Sequence, residues 1–347
     1  MRTIAIIVPY YQRHAGVLSR ALRSVAAQDV TDMALRVIVV DDASPFDPQK
    51  DVDALDAPPA HMRIEIVRRS NGGPGAARNT GLDHAGDADV IALLDSDDIW
   101  RPHHLRRALT GIDAGCDVYF SDYDQGDGTT YLPHSPLARR LEPRHAALSP
   151  VTGQERMLQC DARQMAEWAT ENYIAHTSSL VYRAEGLRHI RVSELLRAAG
   201  EDHLFFMDLL LASSRVCFSL DIDEALGDGV NIHKGAFEWG TDRDLRRRAY
   251  YLGVERMMLA RARWPDDISR RLRANISASR RIVGYLLLRL GLAGKLGALT
   301  PSLIWRIDPI CVLFAPLSAA AQALTRLGRS PDAGAASATA FGSGEGR

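Results

Sequence analysis

The run Val90-Ile91-Ala92-Leu93-Leu94-Asp95-Ser96-Asp97-Asp98 decides how this chain reads. Five consecutive apolar residues predict a strand buried on both faces, and three carboxylates within four residues stand at its carboxyl end. Such strands belong to mainly parallel sheets covered by helices, and the ligands of these sheets sit outside the strand C-termini. Carboxylates this crowded repel one another, which makes chemical sense when they share a cation. Hard oxygen donors suit Mg²⁺ or Mn²⁺, with a substrate diphosphate and water completing the coordination. The same residues also read as an acidic loop in which Ser96 or Asp98 caps the next helix, and the motif alone leaves both readings open.

Working outward, residues 3–8 form a six-residue apolar run that passes straight into Pro9-Tyr10-Tyr11, a strand rather than a secretory leader. Val17, Leu18, Ala21, Leu22 and Val25 recur at helical spacing, and the apolar run 35–40 stops at Asp41-Asp42. Residues 64–67 make a third strand and 74–85 a helix after a Gly-rich turn. Downstream, Pro102 opens a helix with Leu105, Leu109 and Ile112 on one face, and residues 118–120 make a fifth strand. Strand and helix alternate, which predicts an α/β domain with right-handed crossovers. The strand ends Pro9-Tyr10-Tyr11, Asp41-Asp42-Ala43-Ser44 and Asp95-Ser96-Asp97-Asp98 should then meet in one crevice. The pattern loosens over 123–175, where residues 156–170 predict one helix. A strand at 179–182, a helix at 201–212 and a strand at 216–220 follow.

The 347 residues suffice for about two domains, and 46 % hydrophobic with 24 % charged residues excludes a disordered, collagen-like or disulfide-stapled chain. With 42 Lys plus Arg against 43 Asp plus Glu, no excess charge exists to hold nucleic acid. The balance is uneven along the chain: residues 1–242 carry 24 basic against 36 acidic side chains, and residues 243–329 carry 17 against 5. Two jobs follow, an acidic body and a basic region facing something anionic. Cys116, Cys160, Cys217 and Cys311 are scattered without a CxxC spacing, so neither a zinc site nor a disulfide framework is indicated, and a reducing cytosol fits.

Asp42 at the end of its strand offers an acceptor for a base N–H or ribose hydroxyls, or simply closes a turn. In Asn71-Gly72-Gly73-Pro74-Gly75-Ala76-Ala77-Arg78-Asn79 the glycines allow close backbone approach to a nucleotide, and Arg78 offers a fixed cation to a diphosphate. A solvated arginine on a helix face is the plain alternative.

Taken in order, residues 6–11, Val39-Val40-Asp41-Asp42-Ala43-Ser44, Asn71-Gly72 through Arg78-Asn79-Thr80-Gly81, and Leu93 to Asp98 with Trp100 resemble family 2 glycosyltransferases. The opening resembles the bacterial exopolysaccharide, succinoglycan-type transferases. The resemblance covers about the first 120 residues. It implies a GT-A fold with a Rossmann-like sheet, a nucleotide-diphosphate sugar donor, inversion at the anomeric carbon, and Mg²⁺ or Mn²⁺ at the DxD motif. It places the metal on Asp95 and Asp97, with Ser96 beside the donor, and puts Pro9, Tyr11 and Asp42 on the base and ribose and Arg78 on the diphosphate. It makes Asp202 of Gly200-Glu201-Asp202 the general base, although an acidic pair opening a helix is also favourable in its own right. His233 stands where some relatives have a further metal ligand; a surface histidine is the other reading. No QxxRW signature of processive synthases is present, which predicts one sugar per encounter. Trp100 and Trp239 are candidates for stacking on sugars or for ordinary packing.

The basic stretch continues into residues 282–324, apolar but broken by Arg289, Lys295, Arg306, Asp308 and three prolines. No uncharged run is long enough for a spanning helix, so this part reads either as interfacial helices on an anionic membrane or as a helical subdomain whose arginines pair with acidic core surface. The expected layout is a catalytic domain over 1–242, with a nucleotide-sugar half (1–120) and an acceptor half (121–242), a basic helical region over 243–329, and a disordered tail over 330–347. The expected function is transfer of one sugar, glucose from UDP-glucose, to a lipid-linked oligosaccharide. The protein would sit in the cytoplasm at the inner face of the inner membrane, beside other polysaccharide-assembly enzymes. A sugar nucleotidyltransferase and a non-catalytic nucleotide-sugar-binding component are the rival readings.

Overall fold

The apolar runs of the N-terminal part become neighbouring strands of one sheet in the computed structural model, which describes residues 1–126, 129–135, 138, 146–197, 199–227 and 238–317. In chain order the elements are β1 (Thr3–Tyr10), α1 (Val17–Ala26), β2 (Ala34–Asp41), α2 (Pro48–Asp53), β3 (Met62–Arg68), α3 (Pro74–His84) and β4 (Val90–Leu93). Then come β5 (Ile99–Trp100), α4 (His104–Asp113), β6 (Val118–Asp124), β7 (Ser149–Val151), β8 (Gln154–Asp161), α5 (Ala162–Ala169) and β9 (Val181–Arg183). The remainder is α6 (Glu201–Ala212), β10 (Arg215–Ala225), α7 (Asp242–Arg261), α8 (Asp266–Leu292), α9 (Thr300–Ile307) and α10 (Pro309–Leu313). Two compact units result: Met1–Arg197 with Phe205–Val230, and Ala198–Leu204 with Asn231–Arg347. The expected disordered tail lies outside the described residues.

The first unit is built on a ten-stranded sheet in the order β3-β2-β1-β4-β9-β6-β10-β8-β7, with β5 paired to β10. The four N-terminal strands are parallel, as their continuous apolar character predicts, and Ile4, Ile6, Ile7, Val37, Val39 and Val90 to Leu93 are fully buried. The sheet is mixed beyond them. β9 runs antiparallel between β4 and β6, and β8 antiparallel to β10.

The helix expected over 156–170 is corrected: its first half is strand. β8 pairs with β10 from Asp161↔Arg215 to Met157↔Ser219, and the ladder overrides local preference. Only after Asp161, whose carboxylate accepts the Gln164 N–H at 3.1 Å as an N-cap, does α5 begin. β10 is also longer than expected, reaching Ala225 through two irregularities in its pairing with β6.

The second unit is helical. α7 starts at an N-cap, Thr241, and packs on α8 and α9. Its aspartates are spent internally. Buried Asp244 holds Arg247 and Arg248, each at 2.9 Å, and buried Asp308 holds Arg280 at 2.6 Å and Arg256 at 3.6 Å. Asp242 accepts from the Gly297 N–H at 2.9 Å and the Thr300 hydroxyl at 2.8 Å, tying the α8–α9 turn to the start of α7.

Glu255 on α7 is 6 % exposed and accepts from the Ser279 hydroxyl at 3.0 Å. Burial pushes its carboxyl from the usual 4.5 to about 7, partly offset by hydrogen bonds from Ser279 and Asn275. A carboxyl raised on folding stabilises the fold below the unfolded value, and the benefit fades as pH climbs from about 4.5 to 7. Glu255→Gln should therefore match the native chain in denaturant unfolding near pH 4 to 5 and exceed it above pH 7, by up to about 3 kcal/mol at roughly 1.4 kcal/mol per unit.

Candidate active site

Register places three predicted clusters side by side. Tyr10 lies opposite Asp41 and Ile7 opposite Leu93, so β2, β1 and β4 end together; Asp42 N–H donates to the Tyr10 carbonyl and Leu94 N–H to the Ile7 carbonyl, both at 3.0 Å. Gln12 then stitches the ends. Its N–H donates to Ser44 Oγ at 2.8 Å, and its side-chain amide donates to Ser96 Oγ at 3.2 Å. Pro9 and the exposed Tyr11 stand at the same edge, while Tyr10 turns into the core.

Asp42 is 3 % exposed and shapes the Gly-rich loop: its two oxygens accept the Gly72 and Gly73 N–H groups at 2.8 and 2.7 Å. Gly73 has φ 90°, a conformation open to glycine at no steric cost. Next to Asp42, Ala43 has φ 56°, the one left-handed non-glycine residue among those described, a strain of the kind that concentrates at functional sites. Asp42 Oδ1 also pairs with Arg69 Nε at 3.3 Å, and since a carboxylate has about four acceptor positions it keeps only limited capacity for a ligand. The loop leads into α3, which carries Arg78, buried and bonded through Nη2 to Asp95 Oδ1 at 2.7 Å. The solvated-arginine reading is thereby corrected: this guanidinium is part of the site.

The acidic motif does not cap the following helix, since α4 begins at His103 without a side-chain cap. A tight turn, with Asp98 N–H donating to the Asp95 carbonyl at 3.1 Å, instead brings Asp95 and Asp98 together. Ser178 bridges them: its Oγ accepts the Asp95 N–H at 2.9 Å and donates to Asp98 Oδ2 at 2.6 Å. Asp95, Asp98 and His176 have ligand atoms within 4.8 Å of one another. Behind them His176 Nδ1 meets Glu224 Oε1 at 2.5 Å, and Glu224 is fully buried with its Oε2 lacking a hydrogen-bond partner among the described residues.

The charge state of this cluster is unusual. Burial, reinforced by the charges of Asp98 and Asp95, raises Asp97 to about 7. Burial likewise raises Asp98 to about 7, with Glu224 and Asp95 adding and His176 opposing. Burial alone would lower His176, but Glu224 and Asp98 outweigh it and hold the imidazole up near 10. Crowded carboxylates that resist ionising and a buried oxygen without a partner form a donor set that fits a hard divalent cation such as Mg²⁺ or Mn²⁺.

The resemblance assigned the metal to Asp95, Asp97 and His233. The assembled group holds Asp98 and His176 instead of Asp97, whose carbonyl is turned against Gly227; His233 lies outside the described residues. Asp202 belongs to the second unit, in the first turn of α6, where its Oδ1 accepts the His203 N–H at 2.7 Å. There Tyr251 of α7 is raised by burial, with Arg247 opposing and Asp202 and Glu201 adding. Trp100 is core, not a sugar platform: it is 2 % exposed and its indole N–H donates to the Ser178 carbonyl at 2.6 Å. Trp239 is exposed, with Arg248 4.6 Å above its ring.

His176, Ser178, Glu224 and Gly227 were not picked out from sequence. The signal was present in His176-Thr177-Ser178-Ser179 before an apolar strand, but a parallel sheet puts that end of a strand away from the ligand edge. Because β9 is antiparallel, its amino end reaches the carboxyl ends of β4 and β6.

A mixed sheet with helices on it, a Gly-rich loop pinned by a strand-end aspartate and an Asp/His cluster beside it define a glycosyltransferase of the GT-A type. The chain belongs to glycosyl transferase family 2, whose model matches residues 5–191. It is 36 % identical over 242 residues to the succinoglycan biosynthesis protein ExoW of Rhizobium meliloti (strain 1021), covering 67 % of this chain and 71 % of that protein. It is also 38 % identical over 111 residues to ExoO of the same organism, 32 % of this chain and 30 % of that one. Solved folds agree. S. aureus TarS 1-349 in complex with UDP-GlcNAc aligns with a TM-score of 0.54 at 17 % identity over 95 % of this chain and 93 % of that one. The Pyrobaculum calidifontis mannosyltransferase PcManGT with GDP-Man and Mn²⁺ gives 0.51 at 16 % identity over 93 % and 87 %.

Gly227 follows β10, and its N–H donates to Asp98 Oδ1 at 3.1 Å. A Cβ at this position would lie 1.6 Å from the Asp97 carbonyl oxygen, so the loop must move to admit one. Gly227→Ala should cost about 2 kcal/mol or more in thermal or denaturant unfolding, and should weaken Mn²⁺ binding followed by electron paramagnetic resonance. Native values for both would show that the close approach is not a constraint.

Proposed function

We propose that this protein is an inverting, metal-dependent hexosyltransferase that moves one sugar, glucose, from a UDP-sugar to a lipid-linked oligosaccharide in exopolysaccharide assembly. The observation that carries the reading is the Asp95–Asp98–His176 cluster at the strand ends beside the loop held by Asp42. The relationship to a succinoglycan biosynthesis protein supports the pathway class.

Asp42 and Tyr11 recognise the uridine, with Pro9 at the strand end fixing where the chain turns and Ser96 beside the donor. Arg78, held by Asp95, meets the diphosphate with its charge set in place before the donor arrives, and the Gly72–Gly73 backbone, pinned by Asp42, gives the nucleotide room to approach. Asp95, Asp98 and His176 would hold the divalent cation, with Asp97 beside them, and a cation bound there would offset charge on the departing diphosphate. Asp202 is the general base. Its carboxylate takes the proton of an acceptor hydroxyl as that oxygen attacks the anomeric carbon, the bond from that carbon to the diphosphate oxygen breaks, and UDP leaves with both electrons of that bond. Displacement from the opposite face inverts the anomeric configuration. An acceptor carried on lipid places the enzyme at the inner face of the bacterial inner membrane, on an anionic surface and in reach of the other assembly enzymes.

Incubation with a panel of nucleotide-sugars and Mn²⁺ should release UDP from one of them. Asp98→Asn should reduce that turnover by about a hundredfold or more and weaken Mn²⁺ binding, while Asp202→Asn should reduce transfer by about 10² to 10⁴ with UDP affinity retained. Release of pyrophosphate in place of UDP would identify a nucleotidyltransferase instead. Loss of donor affinity in Asp202→Asn would remove that residue from the base role.

A further inference from the structure

The last helices of the second unit leave large apolar side chains uncovered. Leu292 is 83 % exposed and Leu299 73 %, on either side of the α8–α9 turn; Trp305 on α9 is 51 % exposed; Leu313, Phe314 and Leu317, at and beyond the end of α10, are 64, 50 and 66 % exposed. These residues are not the helices' inner faces. Ile304 and Ile307 on α9 and Cys311 and Ala315 in and after α10 are buried, so each segment already has its core stripe. A second apolar set on so short a segment is more than the singly scattered apolar residues normal on a protein surface.

Charge identifies the occupant. Between Arg289 and Leu317 the cations are Arg289, Lys295 and Arg306, all exposed, and none has an ion-pair partner among the described residues. The one acid in that span, Asp308, is fully buried and neutralised by Arg280 and Arg256. The surface is thus apolar and purely cationic, which fits an anionic bilayer and repels a second basic copy of itself. Geometry limits the mode. At about 1.5 Å per residue, the 8 residues of α9 and 5 of α10 span about 12 and 8 Å against a hydrocarbon core of about 30 Å. No helix among the described residues is long and apolar enough to cross a membrane.

We propose that the α8–α9 turn, α9 and α10 form an interfacial anchor that sinks Leu299, Trp305, Leu313 and Phe314 into an anionic leaflet while Arg289, Lys295 and Arg306 meet its headgroups. The proposal rests on the membrane location inferred above and names the residues that produce it. Trp305 is suited to the headgroup boundary, where an apolar ring with one N–H is at home.

The full chain should co-sediment with phosphatidylcholine vesicles containing phosphatidylglycerol and far less with pure phosphatidylcholine. Leu313→Ser combined with Phe314→Ser should weaken that binding about tenfold or more, as should Lys295→Glu combined with Arg306→Glu. Trp305 fluorescence should shift blue on vesicle addition, a change absent in Trp305→Phe. Unchanged helical circular dichroism and unchanged vesicle-free hydrolysis of the nucleotide-sugar show that the variants fold, and that hydrolysis reports on the transferase reading independently. Three results overturn the proposal: a full chain that stays in the supernatant with anionic vesicles, variants that bind as well as the native chain, or a vesicle-free dimer that Leu313→Ser with Phe314→Ser makes monomeric.

Discussion

The hydroxyl of Ser178 is the contact on which the site depends. It takes the Asp95 N–H and gives its proton to Asp98 Oδ2, so one small side chain fixes two carboxylates that would otherwise repel each other apart. Gly227 N–H on the other oxygen of Asp98 and Arg78 on Asp95 complete the clamp. Burying several like charges is costly unless each is hydrogen-bonded or paired. Here most of the bonds are in place, while Glu224 keeps one buried oxygen without a partner among the described residues. Asp97 and Asp98 therefore sit near 7 instead of near 4, Asp97 held back by burial and the charges of Asp98 and Asp95, Asp98 by burial with Glu224 and Asp95 against the pull of His176.

Chain direction explains how this clamp is assembled. Parallel strands deliver only their carboxyl ends to the ligand edge, and β1, β2 and β4 supply Gln12, Asp42 and Asp95 in this way. Inserting β9 antiparallel between β4 and β6 brings an amino end to the same edge, and with it His176 and Ser178. β10 returns parallel to β6 and contributes Glu224 from its far end. The mixed sheet draws on more of the chain than a purely parallel one would, and Asp98 joins these contributions through Ser178 and Gly227.

Legibility in the sequence followed the range of the interactions. The four parallel strands, their order of chemistry and the convergence of Tyr11, Asp42 and Asp95 could be read because buried parallel strands are apolar without interruption and end in polar clusters. What could not be read depended on pairing between distant segments. β8 looked helical because its ladder with β10 is invisible locally, and His176 drew no attention because only the reversed direction of β9 carries it to the edge. The place of Asp98 was likewise beyond spacing: its position beside Asp95 and His176 depends on a serine 80 residues away.

Net charge along the chain needed the same correction. The excess of 17 basic over 5 acidic residues in 243–329 read as a surface facing something anionic, yet part of it is consumed inside the unit. Asp244 absorbs Arg247 and Arg248 within α7, and Asp308 absorbs Arg256 of α7 and Arg280 of α8; each buried carboxylate would be costly to leave unpaired. Arginines engaged in this way offer little to a partner. The cations that can act outward are those left after this internal pairing; Arg289, Lys295 and Arg306 are among them, and they share their stretch of chain with the exposed leucines, Trp305 and Phe314. Coincidence of unspent charge and uncovered apolar area, rather than basicity itself, is what distinguishes a docking surface from a helical subdomain that happens to be rich in arginine.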